Sequence, residues 1–504
     1  MNLSIKGDLL SRDKVLKKIW QSCEIFRGIT MSEMYQNYIF AMFFLKYLSD
    51  VQDDAINEAG QKKLDSAKGV VKLPRRFGFS VSDACSFNYV FVNRHSNEIG
   101  SIINTALRGI ASDNPEALGG IFDHIDFDDK LIRGTPREMN VRLCRLIELF
   151  SDIDLRPSKL MDNDFISICS DYLAEKFSEN AIKQGGEFHT PPGIAELLSG
   201  IVMPKQGDSV YDPSCGSGSL LIHLARHASS NSVSFNGYES RFNVGVLCKL
   251  NMILHGINNP NILFGNLTFP QQAMKAMFDQ KFDKIVANLV FMLHRSREVA
   301  PEPDPSNKNQ KWVACRLPRR AEDLPDSVSR IVESLAENGA AAVIVPQGIL
   351  FRAGPVELQL RERLLKQNII DAIISLPPRI FSSTAIPTSI IVIKKGRADR
   401  DVFVIDASKD CESGKRQNRV GYSDVTRIVK YYNTRETIEG YSALVNAEEI
   451  ERNGFNLTTS RYIKVSEREQ LTDLLVAQKE IELLEGELGV ISKKIKSCLK
   501  LLRS

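Results

Sequence analysis

Two short stretches of this chain carry residues whose types and spacing suit a nucleoside ligand. The first is Asp212-Pro213-Ser214-Cys215-Gly216-Ser217-Gly218-Ser219, which follows a β-rich run and precedes the helical run Leu220 to His227. Glycines let the backbone turn tightly and approach a ligand without a Cβ in the way. The amides at the start of the next helix favour a polar or anionic group. The second is Gly237-Tyr238-Glu239-Ser240, at the end of the following β-rich run. An acidic side chain there can accept hydrogen bonds from both ribose hydroxyls. Together the two predict a cofactor that contains adenosine, without yet saying which one.

A nicotinamide dinucleotide is disfavoured. Its fingerprint G-x-G-x-x-G fails, because Gly216-Ser217-Gly218 is followed by Ser219-Leu220-Leu221. The leading Asp-Pro is also unlike a pyrophosphate loop. A carboxylate at a strand tip suits a cofactor carrying an ammonium group and a sulfonium charge.

The elements that must position these residues can be read from the apolar pattern. Short β-rich runs at Ser209 to Tyr211, Val233 to Tyr238, Ile262 to Phe264, Lys284 to Ala287, Ala341 to Val345, Ala372 to Leu376 and Ser389 to Ile393 alternate with helical stretches. That alternation implies βαβ units and a mostly parallel sheet covered on both faces. Such a sheet binds ligands at the carboxyl ends of its strands. Residues 1–165 read as a helical domain. Tyr38, Phe40, Phe43, Phe44, Tyr47 and Leu48 mark a long helix that Ser49-Asp50 is expected to help end. Val141, Leu143, Leu146 and Ile147 mark another, before Asp152. Residues 166–400 hold the α/β domain and 401–465 a mixed connecting region. In 466–504, Leu474, Ile481, Leu488, Ile495 and Leu502 recur every seven residues, with Ala477, Leu484, Ile491 and Cys498 three positions later. This a/d seam predicts a coiled-coil helix for subunit docking.

Bulk composition narrows the field. With 504 residues the chain is long enough for two or three domains, and a net charge of +3 confines any nucleic-acid surface to a patch or to a partner. The most apolar early run, Tyr38 to Leu45, is far short of the roughly 20 residues that cross a bilayer. The first ten residues mix acid and base, with no apolar leader stretch. The nine cysteines contain no CxxC pair and no Cys/His cluster at zinc spacing, so reduced thiols, a cytoplasmic location and no metal site are expected. His223 and His227, four apart on a helix, lack a carboxylate nearby in sequence and read as surface or core residues.

DPSCGSGSLL resembles the first motif of DNA N6-adenine methyltransferases. Upstream, Gly186-Glu187-Phe188-His189-Thr190-Pro191-Pro192 is similar to the GEFYTP signature of type I modification subunits, with His189 where the family often has Tyr. YQNYIFAMFFLKYLSD, GAAAVIVPQGILF, IIDAIISLPPRIFSSTAIPTSIIVIKK and GFNLTTSRYI resemble other parts of the same family, so the likeness covers nearly the whole chain. The resemblance implies a Rossmann-like seven-stranded methyltransferase sheet between an N-terminal helical domain and the C-terminal coiled-coil helix. It implies S-adenosylmethionine as cofactor. Its methionine end would be wrapped by Glu187, Phe188, His189, Thr190, Pro191 and Pro192, its body held by Asp212, Ser214, Gly216, Ser217, Gly218, Ser219 and Glu239. Asn266, in Gly265-Asn266-Leu267-Thr268, stands where the family's GDTL has the Asp that meets the adenine amino group.

The family then places Asn-Pro-Pro-Phe/Tyr after its fourth strand, where this chain reads Asn288-Leu289-Val290-Phe291. In related enzymes the Asn side chain and the next carbonyl take the amino hydrogens of a flipped adenine, and the aromatic ring stacks on the base. The resemblance assigns those roles to Asn288, Leu289 and Phe291. Two prolines are replaced, so backbone stiffness is lost and two amides need partners. The expected activity is transfer of methyl to adenine N6 in specific DNA, with a catalytically impaired assembly subunit as the alternative. The resemblance also implies partners: DNA, a specificity subunit shared by two modification subunits, and an endonuclease-translocase subunit, with no membrane. The polar stretch 292–322, rich in Arg and Lys, reads either as a loop that touches DNA phosphates or as a solvated loop.

Overall fold

The computed structural model describes residues 12–26, 32–58, 70–72, 79–123, 125–128, 135–160, 165–173, 190–228, 232–257, 259–264, 276–289, 324–381, 386–414, 417–463, 476–486, 488 and 491. Helix α1 (Arg12–Glu24) leads into α2 (Ser32–Glu58). Every side chain of α2 from Tyr35 to Gln52 is buried, as expected of an interior helix that is apolar nearly all round. Ser49-Asp50 does not end it. Ser49 Oγ donates to Leu45 O (2.9 Å) and accepts the Phe87 amide (2.7 Å). Asp50 pairs with Lys46 at 2.5 Å and accepts the Leu155 amide at 2.7 Å. Polar residues with such partners continue a helix that sequence alone would break.

A small hairpin of β1 (Val70–Lys72) and β2 (Ser80–Ser82) precedes α3 (Ile99–Asp113) and α4 (Pro136–Ser151). A capping box sets the start of α4, Thr135 and Glu138 each bonding the other's backbone. Leu143, Leu146 and Ile147 face the core, while Val141 is exposed.

The remaining strands among the described residues form one nine-stranded sheet. They are β3 (Ser209–Asp212), β4 (Ser234–Glu239), β5 (Asn261–Phe264), β6 (Phe282–Asn288), β7 (Leu335–Pro346), β8 (Ile370–Ser375), β9 (Thr388–Lys394), β10 (Val402–Asp406) and β11 (Ser442–Val445). Their order is β11-β10-β8-β9-β7-β6-β3-β4-β5. Strand β9 runs antiparallel to both neighbours and β11 antiparallel to β10; the other pairs are parallel. The seven runs read from sequence are β3 to β9. Two strands from 401–465 extend them at one edge.

Alternation of side chains sorts the sheet's apolar residues into two cores. Val210, Ala342, Ile344, Ile374, Val392 and Phe403 face one side, where α5 (Pro192–Val202), α6 (Ser219–His227), α7 (Phe242–Leu254) and the helical N-terminal residues pack in a continuous cluster. Tyr211, Ala341, Val343, Ile373, Ile391 and Val404 face the other, covered by α8 (Leu324–Ser334) and α9 (Pro355–Lys366).

Helix α10 (Tyr422–Thr434) packs on α5. In the C-terminal helical stretch Ile481, Leu484, Leu488 and Ile491 are 54–67% exposed; Leu474, Ile495, Cys498 and Leu502 lie outside the described residues. Among the described residues no helix is long and apolar enough to cross a membrane.

Candidate active site

Strand order reverses at β3, whose neighbours are β4 on one side and β6 on the other. A crevice at the carboxyl ends of such strands is where an open α/β sheet binds its ligand. Those three ends carry Asp212, Glu239 and Asn288. Asp212 lies opposite Gly237 on β4, and Tyr211 lies opposite Ile285 on β6.

The loop after β3 is held by bonds within itself and to β4 and α7. Asp212 Oδ1 accepts the Ser214 amide at 2.9 Å. The Cys215 amide donates to Tyr238 O at 3.0 Å, and the Gly218 amide to Cys215 O at 2.8 Å. Gly218 caps α6 with φ +83°, and a Cβ there would sit 2.9 Å from Cys248 Sγ. Both backbone and space therefore require glycine. Asn251 on α7 donates to Ser217 O at 2.9 Å, and Ser170 Oγ donates in turn to Asn251 Oδ1. Sequence reading missed these two supports. Their signal is Asn251 itself, a polar residue in the otherwise apolar run Cys248 to Leu254, broken elsewhere only by Lys249.

Asp212 is 1% exposed, and among the described residues it makes no ion pair. Burial pushes its carboxyl up to about 7, against the Ser214 amide and with help from the nearby Glu239 charge. Glu239 is also buried; its Oε1 accepts the Arg241 amide at 2.9 Å and lies 3.4 Å from Arg241 Nε. Two carboxyl groups at adjacent strand tips, one short of a counter-charge, make a setting for a cation with hydroxyl donors.

At the tip of β6, Asn288 Nδ2 donates to Thr190 Oγ1 at 3.0 Å. Its Oδ1 is buried and has no hydrogen-bond partner among the described residues. A buried acceptor left open costs free energy unless a ligand donor completes it. The Leu289 amide donates to Ile344 O at 3.0 Å, adding one rung to the β6–β7 ladder, and its side chain is packed in the second core. One of the two amides that replace proline thus has a partner. Pro191 and Pro192 begin α5. Glu187, Phe188, His189, Asn266, Val290, Phe291 and the stretch 292–322 lie outside the described residues.

His223 and His227 meet a carboxylate that lies far from them in sequence: Glu196 on α5 is 3.4 Å from His223 Nδ1 and 2.7 Å from His227 Nε2. The fold supplies it from a helix about thirty residues upstream.

Residues 161–470 match the family model of N-6 DNA methylases, and residues 15–150 that of the HsdM N-terminal domain. The methylase subunit of the type I restriction enzyme MpnII from Mycoplasma pneumoniae is 27% identical, with 97% of this chain and 96% of that protein covered. The methylase subunit of MjaVIII from Methanocaldococcus jannaschii is 25% identical over 96% of this chain and 83% of its own length. Among solved structures, the methyltransferase subunit of a type I restriction-modification system from Streptococcus thermophilus is similar with TM-score 0.71 and 25% identity, covering 90% of this chain and 100% of that one. A chain from a structure of type I complex assembly and conformational transition shares the fold at TM-score 0.59 and 17% identity, covering 96% and 99%.

Proposed function

The chain belongs to the N-6 DNA methylase family, and from that premise we propose that it is the modification subunit of a type I restriction–modification complex, methylating adenine N6 in specific DNA. One observation carries the mechanism: Asn288 holds an unpaired buried acceptor at the switch point that also presents Asp212 and Glu239.

The site's donor set fits S-adenosylmethionine, which supplies an activated methyl on a sulfonium. Asp212 offers a desolvated carboxylate to the cationic part, Glu239 accepts from the ribose hydroxyls, and the glycine turn lets backbone amides approach. Ser214, Gly216, Ser217 and Ser219 complete that cradle, with Glu187, Phe188, His189, Pro191, Pro192 and Asn266 as further cofactor contacts.

Asn288 Oδ1 accepts a hydrogen of the target amino group, and Thr190 keeps the amide turned so that this oxygen faces the pocket. The Leu289 carbonyl takes the second amino hydrogen and Phe291 stacks on the base. Orientation of the nitrogen lone pair is then most of the catalysis. With that cofactor bound, Asn288 and the Leu289 carbonyl would hold the amino nitrogen toward the methyl it supplies, and the nitrogen would give up one proton to water on accepting it.

Sequence choice belongs to a specificity subunit docked on the exposed seam around Ile481 to Ile491, with two copies of this chain per specificity subunit and an endonuclease-translocase subunit completing the complex. The modest charge of +3 supports a DNA surface shared with partners in the cytoplasm. The test is transfer of labelled methyl to DNA, with and without the specificity subunit. Asn288→Ala should lower the rate at least about 100-fold while cofactor binding persists. Cofactor binding with no transfer under any condition would overturn the enzymatic reading.

A further inference from the structure

Cys144 and Glu148 lie one helical turn apart on α4, so their side chains leave the same face. His95 follows the short helix Phe87–Val92 and reaches that face from a separate segment. Cys144 Sγ stands 3.4 Å from His95 Nδ1 and 3.7 Å from Glu148 Oε1. One donor atom from each of the three lies within 4.8 Å of the other two. A zinc ion with bonds of about 2.3 Å to sulfur and about 2.0–2.1 Å to nitrogen or oxygen, in tetrahedral array, separates the sulfur from each other donor by about 3.5–3.6 Å. The two sulfur distances bracket that value.

A thiol, an imidazole and a carboxylate are all zinc-ligand types, and here they converge from two separate segments. We propose that His95, Cys144 and Glu148 form a site for a borderline-soft divalent cation of the zinc class, with its fourth position left to water. Arg94 lies beside the site, its Nε 3.6 Å from Glu148 Oε1. It is held back by a bond from Nη1 to Phe91 O (2.9 Å) and by stacking over the Phe91 ring at 4.2 Å. From there it orients the carboxylate from outside the coordination shell. The ion would tie the turn after Val92 to α4 and so staple two pieces of the helical part that are 49 residues apart in sequence. Methyl transfer makes no use of these residues.

The full-length protein, stripped with chelator, is titrated with cobalt(II) and then with zinc. One equivalent of cobalt should give the charge-transfer absorption of a cobalt–thiolate bond, which zinc then abolishes. Cys144→Ala should lose the band. His95→Ala and Glu148→Gln should each weaken binding by at least about tenfold, and Cys315→Ala, Cys411→Ala and Cys498→Ala should keep it. Zinc should raise the thermal midpoint of the unmodified chain and not of Cys144→Ala. A measurement needing no variant is alkylation of Cys144 in the native chain, which zinc should slow. Absence of the band, its survival in Cys144→Ala, unchanged titration of His95→Ala, or alkylation of Cys144 indifferent to zinc would each overturn the site.

Discussion

Asp212 offers a quantitative handle on the cofactor. Its buried carboxyl sits at about 7 in the ligand-free chain, so at pH 6 roughly ten chains in eleven hold the proton and at pH 8 roughly one in eleven. A cation bound beside it requires the carboxylate. S-adenosylmethionine should therefore bind about tenfold more tightly at pH 8 than at pH 6, releasing close to one proton at the lower pH. The comparison ligand is 5′-methylthioadenosine, which has neither sulfonium nor ammonium and should bind with nearly constant affinity.

The same group fixes a stability trend. A carboxyl whose folded pKa lies above its unfolded value of 3.8 stabilises the folded chain below that value and loses the contribution as pH rises through about 7. The size is on the order of 4 kcal/mol for a shift of about three units at a fully buried site. Asp212→Asn should accordingly raise the thermal midpoint of the unliganded chain at pH 8 while abolishing the pH dependence of cofactor affinity. Calorimetric titration in buffers of different ionisation heat measures both the affinity and the proton release. Equal affinity at pH 6 and 8, or the same tightening with the neutral nucleoside, would refute the assignment of Asp212 to the cationic part.

Two further outcomes follow from the tip of β6. Thr190→Val removes the hydroxyl that holds Asn288 Nδ2 at 3.0 Å, so kcat for methyl transfer should fall about tenfold or more, well beyond any loss of cofactor affinity; equal loss in both would point to a general collapse of the site. Leu289→Pro removes the N–H that donates to Ile344 O and a side chain that is 1% exposed, and should cost about 2–4 kcal/mol in urea unfolding.

Legibility in the sequence followed how far each residue's partners lie. The seven runs from Ser209 to Ile393 are short, apolar and buried on both faces, a pattern needing no knowledge of neighbours. Asp212 and Glu239 are legible because each closes such a run, whereas Asn288 is legible only through the likeness of its segment to the family's Asn-Pro-Pro-Phe/Tyr. Strand β11 escaped notice because it is half-exposed at the sheet edge, and β10 because Val402 to Ile405 is a brief apolar island in polar surroundings. The continuation of α2 through Ser49-Asp50 depends on Phe87 and Leu155, and the trio at Cys144 on a histidine from another segment. The hold of Thr190 on Asn288 spans 98 residues. No local spacing encodes such pairings.

The apolar cluster that runs without a break from the N-terminal helices onto one face of the sheet has a practical corollary. The two stretches that match separate family models, 15–150 and 161–470, are portable as units of descent but not as units of stability. Cutting the chain between them would lay bare the wall of the catalytic half on which α2 leans through α7. Engineering that swaps the front portion between relatives must carry the matching surface of α7 along with it.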